Sequence, residues 1–351
     1  MDIQGFEARK RDHLRLALES AHEASGGSGL DQIQIIHRAL PEVNFSAIEI
    51  QARFWNYSAS SPCFISSMTM GHGEGEGINQ VLASAAAERG WPMGVGSQRR
   101  ELADANALDE GRRLRKAAPK SFLFSNIGLS QAIQEPSARI QSLVDSLEAG
   151  ALIVHLNALQ EVLQPEGTPD FARGMDSIAR LVSDLPVPVI VKETGCGISL
   201  ADFELLAKTG VAAIDVSGFG GTHWGRIEGA RANSSDPRAE AAKTFAFWGT
   251  PTVDSLLNGL RAKSSSGLSA QIWASGGVRS GLDAAKCVAL GADKVGFAKP
   301  ALEQALKGKA ALLAWMERVE FEFKTALFCS GSANAEELRK DAATGAKWRK
   351  I

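Results

Sequence analysis

The sequence predicts a (β/α)8 TIM barrel with an N-terminal extension, an α/β architecture in which parallel strands alternate with helices. The 351 residues contain two copies of one pattern, at 187–216 and 271–298. In each copy a strand, a glycine turn, a capped helix and a second strand follow one another. The first copy begins with the apolar run VPVIV, which is typical of a parallel strand buried on both faces.

The remaining elements follow in the order that such a barrel requires. Residues 1–60 form the extension, in which a glycine-serine joint at 25–29 precedes extra strands expected within 40–57. Residues 61–351 form the barrel, with strands predicted at 62–66, 93–96, 121–126, 151–156, 187–192, 212–216, 271–274 and 294–298. Residues 218–250 are predicted to form a long loop of the kind that often serves as a lid. Residues 310–338 are expected to be helical and to complete the outer ring.

Composition narrows the classes of function. The net charge is −2, so no strongly basic surface predicts nucleic-acid binding. The four cysteines form no C-x-x-C pair, which favours reduced thiols in a cytoplasmic protein. No signal peptide and no apolar run of about 18 residues is found, so we expect no membrane segment. These properties indicate a soluble enzyme that acts on a small molecule.

The loop after the seventh predicted strand has the features of a phosphate site. SGGVR at 275–279 follows the strand, and Ser280 with Asp283 has the spacing of a helix capping box. Glycines allow the backbone to approach a ligand closely, and the helix N-terminus carries partial positive charge. In barrels the loops after strands 7 and 8 are the usual phosphate site. The residues predicted to hold a phosphate are Gly277, Arg279, Ala298 and Lys299, and Val278 of the same loop is predicted as a further cofactor contact.

Polar side chains stand at the carboxyl ends of the predicted strands, where barrel active sites are built. They are Ser66, Ser67, Asn126, His155, Asn157, Lys192 and Ser217. A buried lysine is costly without an anion or a dipole, so Lys192 predicts a cofactor contact. The alternative for Lys192 is an ion pair with Glu193 or another acid. His155 and Asn157 face the same side of one strand, which favours substrate contact over a hydrogen-bonded core histidine.

The motifs along the chain resemble those of the type 2 isopentenyl diphosphate isomerases, which are FMN-dependent enzymes. The matching segments are Arg9-Lys10 with His13, ISSMT at 65–69, GVGSQR at 94–99, SNIG at 125–128, HLNALQEVLQPEG at 155–167, VKETGCGIS at 191–199, IDVSGFGGTHW at 214–224, WGTPT at 248–252, SGGVRSGLDAAK at 275–286 and GFAKP at 296–300. The block at 155–167 is highly specific, whereas SGGVRSG is widespread among FMN-binding barrels. The chain departs from the family pattern at Met70, His72, Cys196, His223 and Lys299.

The resemblance implies a site for reduced FMN. Besides the phosphate loop, the implied cofactor contacts are Ser67, Met68, Thr69, Ser97, Asn126, Lys192, Ser217 and Thr222. Lys192 would lie at the N1–C2=O edge of the flavin, where a cation stabilises the reduced anionic ring. NADPH would only reduce the flavin at the start, because the reaction itself has no net redox change.

The resemblance also implies a diphosphate substrate, isopentenyl diphosphate, whose double bond moves to give dimethylallyl diphosphate. The implied substrate contacts are Arg9, Lys10, Ser97, Gln98, Arg99, His155, Asn157 and Gln160. Glu161 would bind Mg²⁺, which prefers hard oxygen ligands and often bridges a carboxylate and a phosphate. The catalytic residues would be Gln160, Lys192 and His155. We also expect a homo-oligomer, either a tetramer or an octamer.

Two other functions remain open from the sequence. An FMN-dependent barrel oxidoreductase of the 2-hydroxy-acid oxidase type needs a histidine base and two arginines for the substrate carboxylate. The segment after the sixth predicted strand reads GFGGTHW at 218–224 and contains no His-Gly-Gly-Arg sequence. A non-catalytic flavin-binding barrel is disfavoured because Gln160, Glu161 and the basic N-terminal residues are all present. A dinucleotide fingerprint at Gly94-x-Gly96 is disfavoured too, since Arg99 stands at the third glycine position.

Overall fold

Eight parallel strands form a closed barrel. The computed structural model describes residues 3–24, 26–68, 73–104 and 107–351. The barrel strands are β1 (Cys63–Ile65), β2 (Met93–Gly94), β3 (Leu123–Gly128), β4 (Ala151–Leu156), β5 (Val189–Glu193), β6 (Ala213–Asp215), β7 (Gln271–Ala274) and β8 (Lys294–Phe297). Each strand pairs in parallel with the next, and β8 pairs with β1. The (β/α)8 fold and the predicted strands are confirmed.

Helices surround this barrel and also precede it. They are Ile3–Leu18, Gly73–Arg89, Arg99–Ala103, Leu108–Ala117, Leu129–Gln134, Ser137–Leu147, Ala158–Leu163, Gly174–Asp184, Leu200–Leu206, Trp224–Arg231, Pro237–Thr244, Thr252–Ser265, Gly281–Ala289, Lys299–Ala305, Lys309–Cys329 and Ala335–Arg339. The last two confirm the helical prediction for 310–338. Across the described part of the chain, no helix combines the length and apolarity needed to cross a membrane.

The extension closes the amino-terminal end of the barrel. Ala52–Phe54 and Tyr57–Ala59 form an antiparallel hairpin, and Phe54 is fully buried against aromatic rings of β1, β3 and β7. The ammonium of Lys294, the first residue of β8, lies 5.0 Å from the centre of the Phe54 ring. Of the strands expected within 40–57, only this hairpin forms. Because aromatic side chains fill this end, the opposite end of the barrel is left for a ligand.

Local signals at the glycine turns place the helices as expected. Ser280 and Asp283 form a reciprocal capping box, and Ser199 with Asp202 forms a second one. Gly291 follows the helix Gly281–Ala289 with a φ of 101°, a conformation that favours glycine. Both repeats of the sequence pattern therefore fold as βαβ units.

The prediction of a long loop at 218–250 is wrong. The segment contains two helices, Trp224–Arg231 and Pro237–Thr244, which pack so closely that a Cβ on Gly229 would lie 2.2 Å from the Cβ of Ala242. The polar turn between them resembles a disordered sequence, but Asp236 caps the second helix by accepting a hydrogen bond from the Arg238 N–H at 2.9 Å. Turn residues that favour a loop also favour a helix cap, which explains the error.

Candidate active site

A cavity of about 590 Å³ opens at the carboxyl ends of the barrel strands. The predicted site residues that line it are Arg9, Lys10, Ser67, Met68, Ser97, Arg99, Asn126, His155, Asn157, Gln160, Glu161, Lys192, Ser217, Thr222, Gly277, Val278, Arg279, Ala298 and Lys299. Thr69 and Met70 lie outside the described residues. The fold thus gathers side chains of the N-terminal helix and of several barrel loops around one space.

Gln98 lies behind the cavity wall. Its side chain is fully buried, and its amide oxygen accepts hydrogen bonds from the hydroxyl of Ser125 and from the backbone N–H of Asn126. Gln98 therefore ties the loop after β2 to β3. Gln98 is not among the residues that line the cavity, although no partner is found for its buried amide nitrogen among the described residues, and its predicted contact with the substrate stays a prediction.

The loop after β7 forms a narrow backbone cradle. Gly276 and Gly277 have φ values of 93° and 72°, which side chains rarely tolerate. A Cβ on Gly276 would lie 2.2 Å from the carbonyl oxygen of Gly218, and one on Gly277 would lie 2.7 Å from that of Gly220. The two glycines are therefore needed for this loop to pack against the loop after β6.

Two cations stand beside the cradle and share an acidic partner. Lys299 Nζ lies 3.0 Å from Glu23 Oε1, and an Arg279 amino group lies 3.7 Å from Glu23 Oε2. The same Arg279 group donates to the carbonyl of Gly220 at 3.2 Å. A cradle of glycines with two cations fits a phosphate, as the sequence predicts.

His155 is held as a neutral imidazole. Asn126 donates from its amide nitrogen to the carbonyl of Val95 at 3.0 Å, which leaves the amide oxygen as the acceptor for His155 Nδ1 at 2.9 Å. Nδ1 therefore carries the proton, and Nε2 keeps a lone pair. Burial, with the nearby charges of Lys192 and Lys10, lowers the pKa of His155 to about 3.

Lys192 is buried and held from two sides. Its ammonium donates to the backbone carbonyl of Glu193 at 2.7 Å and lies 3.8 Å from a carboxylate oxygen of Asp215. The other oxygen of Asp215 accepts from the Ser275 hydroxyl at 2.7 Å. The acid facing Lys192 is therefore Asp215, whereas the carboxylate of Glu193 points into its own turn.

The turn after β5 is organised around the carboxylate of Glu193. One oxygen accepts the backbone N–H groups of residues 194, 195, 196 and 197. Burial raises the pKa of Glu193 to about 7, although these hydrogen bonds and Lys192 act in the opposite direction. This turn presents Thr194 and Gly195 to the cavity.

Gln160 and Glu161 lie in the short helix after β4, Ala158–Leu163, and point to different partners. Glu161 is buried, and its two oxygens accept from the amide of Asn157 at 2.9 Å and from the backbone N–H of Thr168 at 2.5 Å. Gln160 donates to Glu228 at 3.0 Å and accepts from Asn157 at 3.3 Å. Asn157 therefore links the two side chains.

Glu228 lies behind the cavity wall and supports two residues of that wall, His13 and Gln160, a role that the sequence did not reveal. Its carboxylate is fully buried and accepts from His13 Nε2 at 2.8 Å and from Arg231 at 2.5 Å, in addition to Gln160. Burial alone would raise the pKa of Glu228, but His13, Gln160 and Arg231 together hold it below its usual range. No local motif marks Glu228, because two of its three partners, His13 and Gln160, come from distant parts of the chain.

A second group of cations lies where the N-terminal helix meets the barrel. Burial, then the charge of Arg99, lowers the pKa of Arg9. Burial, then the charge of Arg9, lowers the pKa of Lys10 to about 8, and Glu101 acts in the opposite direction. Neighbouring positive charges destabilise one another, and a bound anion would offset this repulsion. The group of cations therefore suits an anionic ligand.

Several buried polar atoms of the cavity wall point to a bound partner. Within the described residues, no hydrogen-bond partner is found for the hydroxyls of Ser66 and Ser67 or for the amide oxygen of Asn157. All three residues line the cavity. Since buried polar groups are normally hydrogen-bonded, these atoms fit a polar ligand.

Comparison with known proteins identifies the family. The chain is 52% identical over 338 residues to an isopentenyl-diphosphate delta-isomerase of Bdellovibrio bacteriovorus, covering 95% of this chain and 96% of that protein. It is 49% identical to an isopentenyl-diphosphate delta-isomerase of Legionella pneumophila, covering 96% and 97% of the two chains. The chain belongs to the isopentenyl-diphosphate delta-isomerase family. The sequence profile of the FMN-dependent dehydrogenase family also matches residues 110–344.

Solved structures show the wider fold relationship of this isomerase-family chain. A mandelate oxidase with (S)-2-phenylpropionate superposes with a TM-score of 0.66 at 18% identity, covering 96% of each chain. A flavocytochrome b2 variant superposes with a TM-score of 0.69 at 16% identity, covering 97% of this chain and 85% of that one. At these identities the likeness concerns the fold alone.

Proposed function

We propose that the protein is an isomerase that interconverts isopentenyl diphosphate and dimethylallyl diphosphate with the aid of reduced FMN. The observation that carries this proposal is two groups of cations on one cavity. Arg279 and Lys299 flank the glycine cradle, whereas Arg9, Lys10 and Arg99 lie at the N-terminal helix. One group suits a cofactor phosphate and the other a substrate diphosphate. The identity to named isomerases over nearly the whole chain supports the same function.

The FMN site is proposed along the strand ends and the cradle. Its residues are Ser67, Met68, Ser97, Asn126, Lys192, Ser217, Thr222, Gly277, Val278, Arg279, Ala298 and Lys299, all on the cavity wall, with Thr69 beyond the described residues. When bound, the reduced flavin supplies an electron-rich ring that stabilises a cation-like substrate centre and can exchange a proton. An ammonium has three N–H donors, and Lys192 donates one of them to the carbonyl of Glu193, whereas Asp215 lies at 3.8 Å, beyond hydrogen-bond distance. A remaining N–H is proposed to serve the flavin edge.

Gln160 is proposed to assist proton transfer at the allylic carbon. Hydrogen bonds from and to its amide fix its orientation in the wall. His155 is proposed to contact the substrate next to it. A neutral His155 presents a lone pair, and a bound diphosphate would raise the pKa of His155 and favour its protonated, donating form. Remote binding of the diphosphate positions the short hydrocarbon for reaction.

Mg²⁺ is proposed to bind at Glu161 together with the substrate. Among the residues that the structure describes, no cluster of three His, Cys, Asp or Glu side chains could hold a metal alone. Each oxygen of Glu161 accepts one hydrogen bond and retains a further lone pair. Mg²⁺ commonly combines one carboxylate with substrate phosphates, so its affinity should depend on the diphosphate.

An anaerobic assay tests the proposal. The purified protein is mixed with FMN, Mg²⁺ and isopentenyl diphosphate, and the flavin is reduced with NADPH, the proposed reductant, or chemically. We expect dimethylallyl diphosphate to form only with reduced flavin. If none of these conditions yields dimethylallyl diphosphate, the isomerase activity is excluded.

Two further proposals have their own tests. Sedimentation of the same preparation tests the proposed tetramer or octamer, and cell fractionation tests the proposed cytoplasmic location.

The same preparation also separates the alternatives. A 2-hydroxy-acid oxidase would bleach its flavin with a 2-hydroxy acid and produce hydrogen peroxide in air. A non-catalytic barrel would bind FMN and convert neither kind of substrate. We expect no flavin reduction by 2-hydroxy acids, because the cation groups of this cavity suit phosphates at two places.

A further inference from the structure

Glu23 places a carboxylate of the extension between the two cations of the glycine cradle. Its oxygens lie 3.0 Å from Lys299 Nζ and 3.7 Å from an Arg279 amino group. The side chains of Lys299 and Glu23 are only 11% and 17% exposed, so water screens their attraction incompletely. These are the same cations to which the proposed function assigns the phosphate of FMN, and the present inference rests on that proposal.

The backbone around Glu23 is fixed to the barrel. Glu23 forms an antiparallel bridge with Thr222, and the N–H of Ala24 donates to the carbonyl of Gly221 at 2.8 Å. Arg226 donates to the backbone carbonyl of Glu23 at 2.5 Å. The carboxylate is therefore delivered to the cradle by ordered chain, and the side chain can leave the cations without the backbone moving.

We propose that Glu23 is an internal competitor of the cofactor phosphate and sets the affinity of the protein for FMN. A carboxylate and a phosphate dianion repel each other when they share two cations. Glu23 must turn away from Lys299 and Arg279 when FMN binds, or remain and repel the phosphate. Both outcomes weaken FMN binding relative to a protein that lacks this charge. Riboflavin has the same ring system without the phosphate, so Glu23 should leave its affinity unchanged.

Flavin titration of the full-length apoprotein tests this inference. The dissociation constants of FMN and riboflavin are measured by flavin fluorescence for the wild type, Glu23→Gln and Glu19→Gln. Glu19 is a matched control, because it lies in the same segment, pairs with Arg15 at 2.8 Å and is 44% exposed. We expect Glu23→Gln to tighten FMN binding about 3- to 30-fold, the range between an exposed ion pair and charge-assisted hydrogen bonds. Riboflavin binding and the control variant should not change.

A second probe and a second variant keep the test decisive. Inorganic phosphate alone should raise the melting temperature of Glu23→Gln more than that of the wild type. If Glu23→Gln fails to fold, Glu23→Asp replaces it. The shorter side chain should compete less with the phosphate, so the Glu23→Asp protein should bind FMN more tightly than the wild type. Unchanged or weaker FMN binding in a folded variant overturns the inference. If neither wild type nor variant binds FMN, the proposed cofactor itself fails.

Discussion

At the scale of single residues, the amide of Gln160 is fixed by neighbours at both of its ends. Glu228 accepts from its nitrogen at 3.0 Å, and Asn157 donates to its oxygen at 3.3 Å. An amide is a poor base in water, but a fixed orientation next to a cation-like centre allows it to relay a proton. Positioned proton transfer contributes about 10²- to 10⁴-fold to rate.

Gln160→Ala should therefore lower kcat about 10²- to 10⁴-fold with FMN affinity unchanged. The measurement is anaerobic turnover at saturating substrate, together with a flavin titration. Gln141→Ala is the control, because Gln141 is partly exposed, does not line the cavity and donates to Asp145 at 2.5 Å. Near-normal turnover of Gln160→Ala would leave Gln160 with a packing role alone.

The affinity for the diphosphate substrate should depend on pH because of the charge of Lys10. The pKa of Lys10 is lowered to about 8, first by burial and then by Arg9. A bound diphosphate favours the protonated ammonium, so binding must take up a proton above pH 8. The Kd of the substrate should therefore rise with pH above 8 in the wild type and not in Lys10→Ala.

Lys10→Ala and Arg9→Ala should each weaken substrate binding by about 1.5–3 kcal/mol, the range for a hydrogen bond to a charged group. Calorimetric titration with the diphosphate measures this effect, and FMN binding should change less. Arg11→Ala is a matched control on the same helix, since Arg11 is exposed. Equal affinities in all these proteins would show that Arg9 and Lys10 do not bind the diphosphate.

At the scale of elements, the turn after β5 makes stability depend on pH. The pKa of Glu193 is raised to about 7 by burial, against a usual value of about 4.3 for an unfolded chain. Between these values the folded protein binds a proton that the unfolded chain has released. Stability must therefore fall as pH rises through this range.

In Glu193→Gln this part of the pH dependence should disappear, because the amide does not titrate. The wild type should lose up to about 3 kcal/mol of unfolding free energy between pH 4.5 and 7, and the variant should not. Urea unfolding of the apoprotein at several pH values measures the difference. Glu317→Gln, at an exposed position, should behave like the wild type. A wild-type slope retained in Glu193→Gln would show that another group titrates.

Elements with continuous patterns could be predicted, and elements defined by distant contacts could not. The run at 187–191 and the glycines at 276 and 277 reveal a buried strand and a tight glycine turn from neighbouring residues alone. The helix Trp224–Arg231 lacks a clear apolar face, and its buried Glu228 is satisfied by side chains from residues 13, 160 and 231. The contact with Arg231 follows from helical spacing, but the partners at residues 13 and 160 cannot be found by spacing along the chain.

The position of Gln98 shows the same limit for the candidate site. Its neighbours in the sequence, Ser97 and Arg99, line the cavity. Gln98 turns inward instead, because β3 offers it the Ser125 hydroxyl and the Asn126 N–H. A motif identifies the loop that carries a site, but tertiary contacts decide which of its side chains face the ligand.

At the scale of the whole molecule, the extension connects both proposed anion sites with the closed end of the barrel. Its helix Ile3–Leu18 carries Arg9 and Lys10 to the cavity, and the following segment brings Glu23 to the glycine cradle. The strand Ile33–Ile35 then pairs with Trp348–Lys350, and the hairpin fills the amino-terminal end. The barrel strands alone therefore provide only part of the site.

Removal of residues 1–18 should accordingly separate the two binding functions. The barrel strands, the hairpin and the glycine cradle remain, so FMN should still bind to the shortened protein. Diphosphate affinity should fall more than in Arg9→Ala or Lys10→Ala alone, because both cations and the buried hydrogen bond between His13 and Glu228 are lost. Calorimetric titration and flavin fluorescence measure the two affinities on one preparation. The full-length double variant Arg11→Ala/Arg15→Ala, at exposed positions, is the control and should bind both ligands normally. Loss of FMN binding on truncation would instead make the N-terminal helix part of the flavin site, and the two cation groups would then belong to a single ligand.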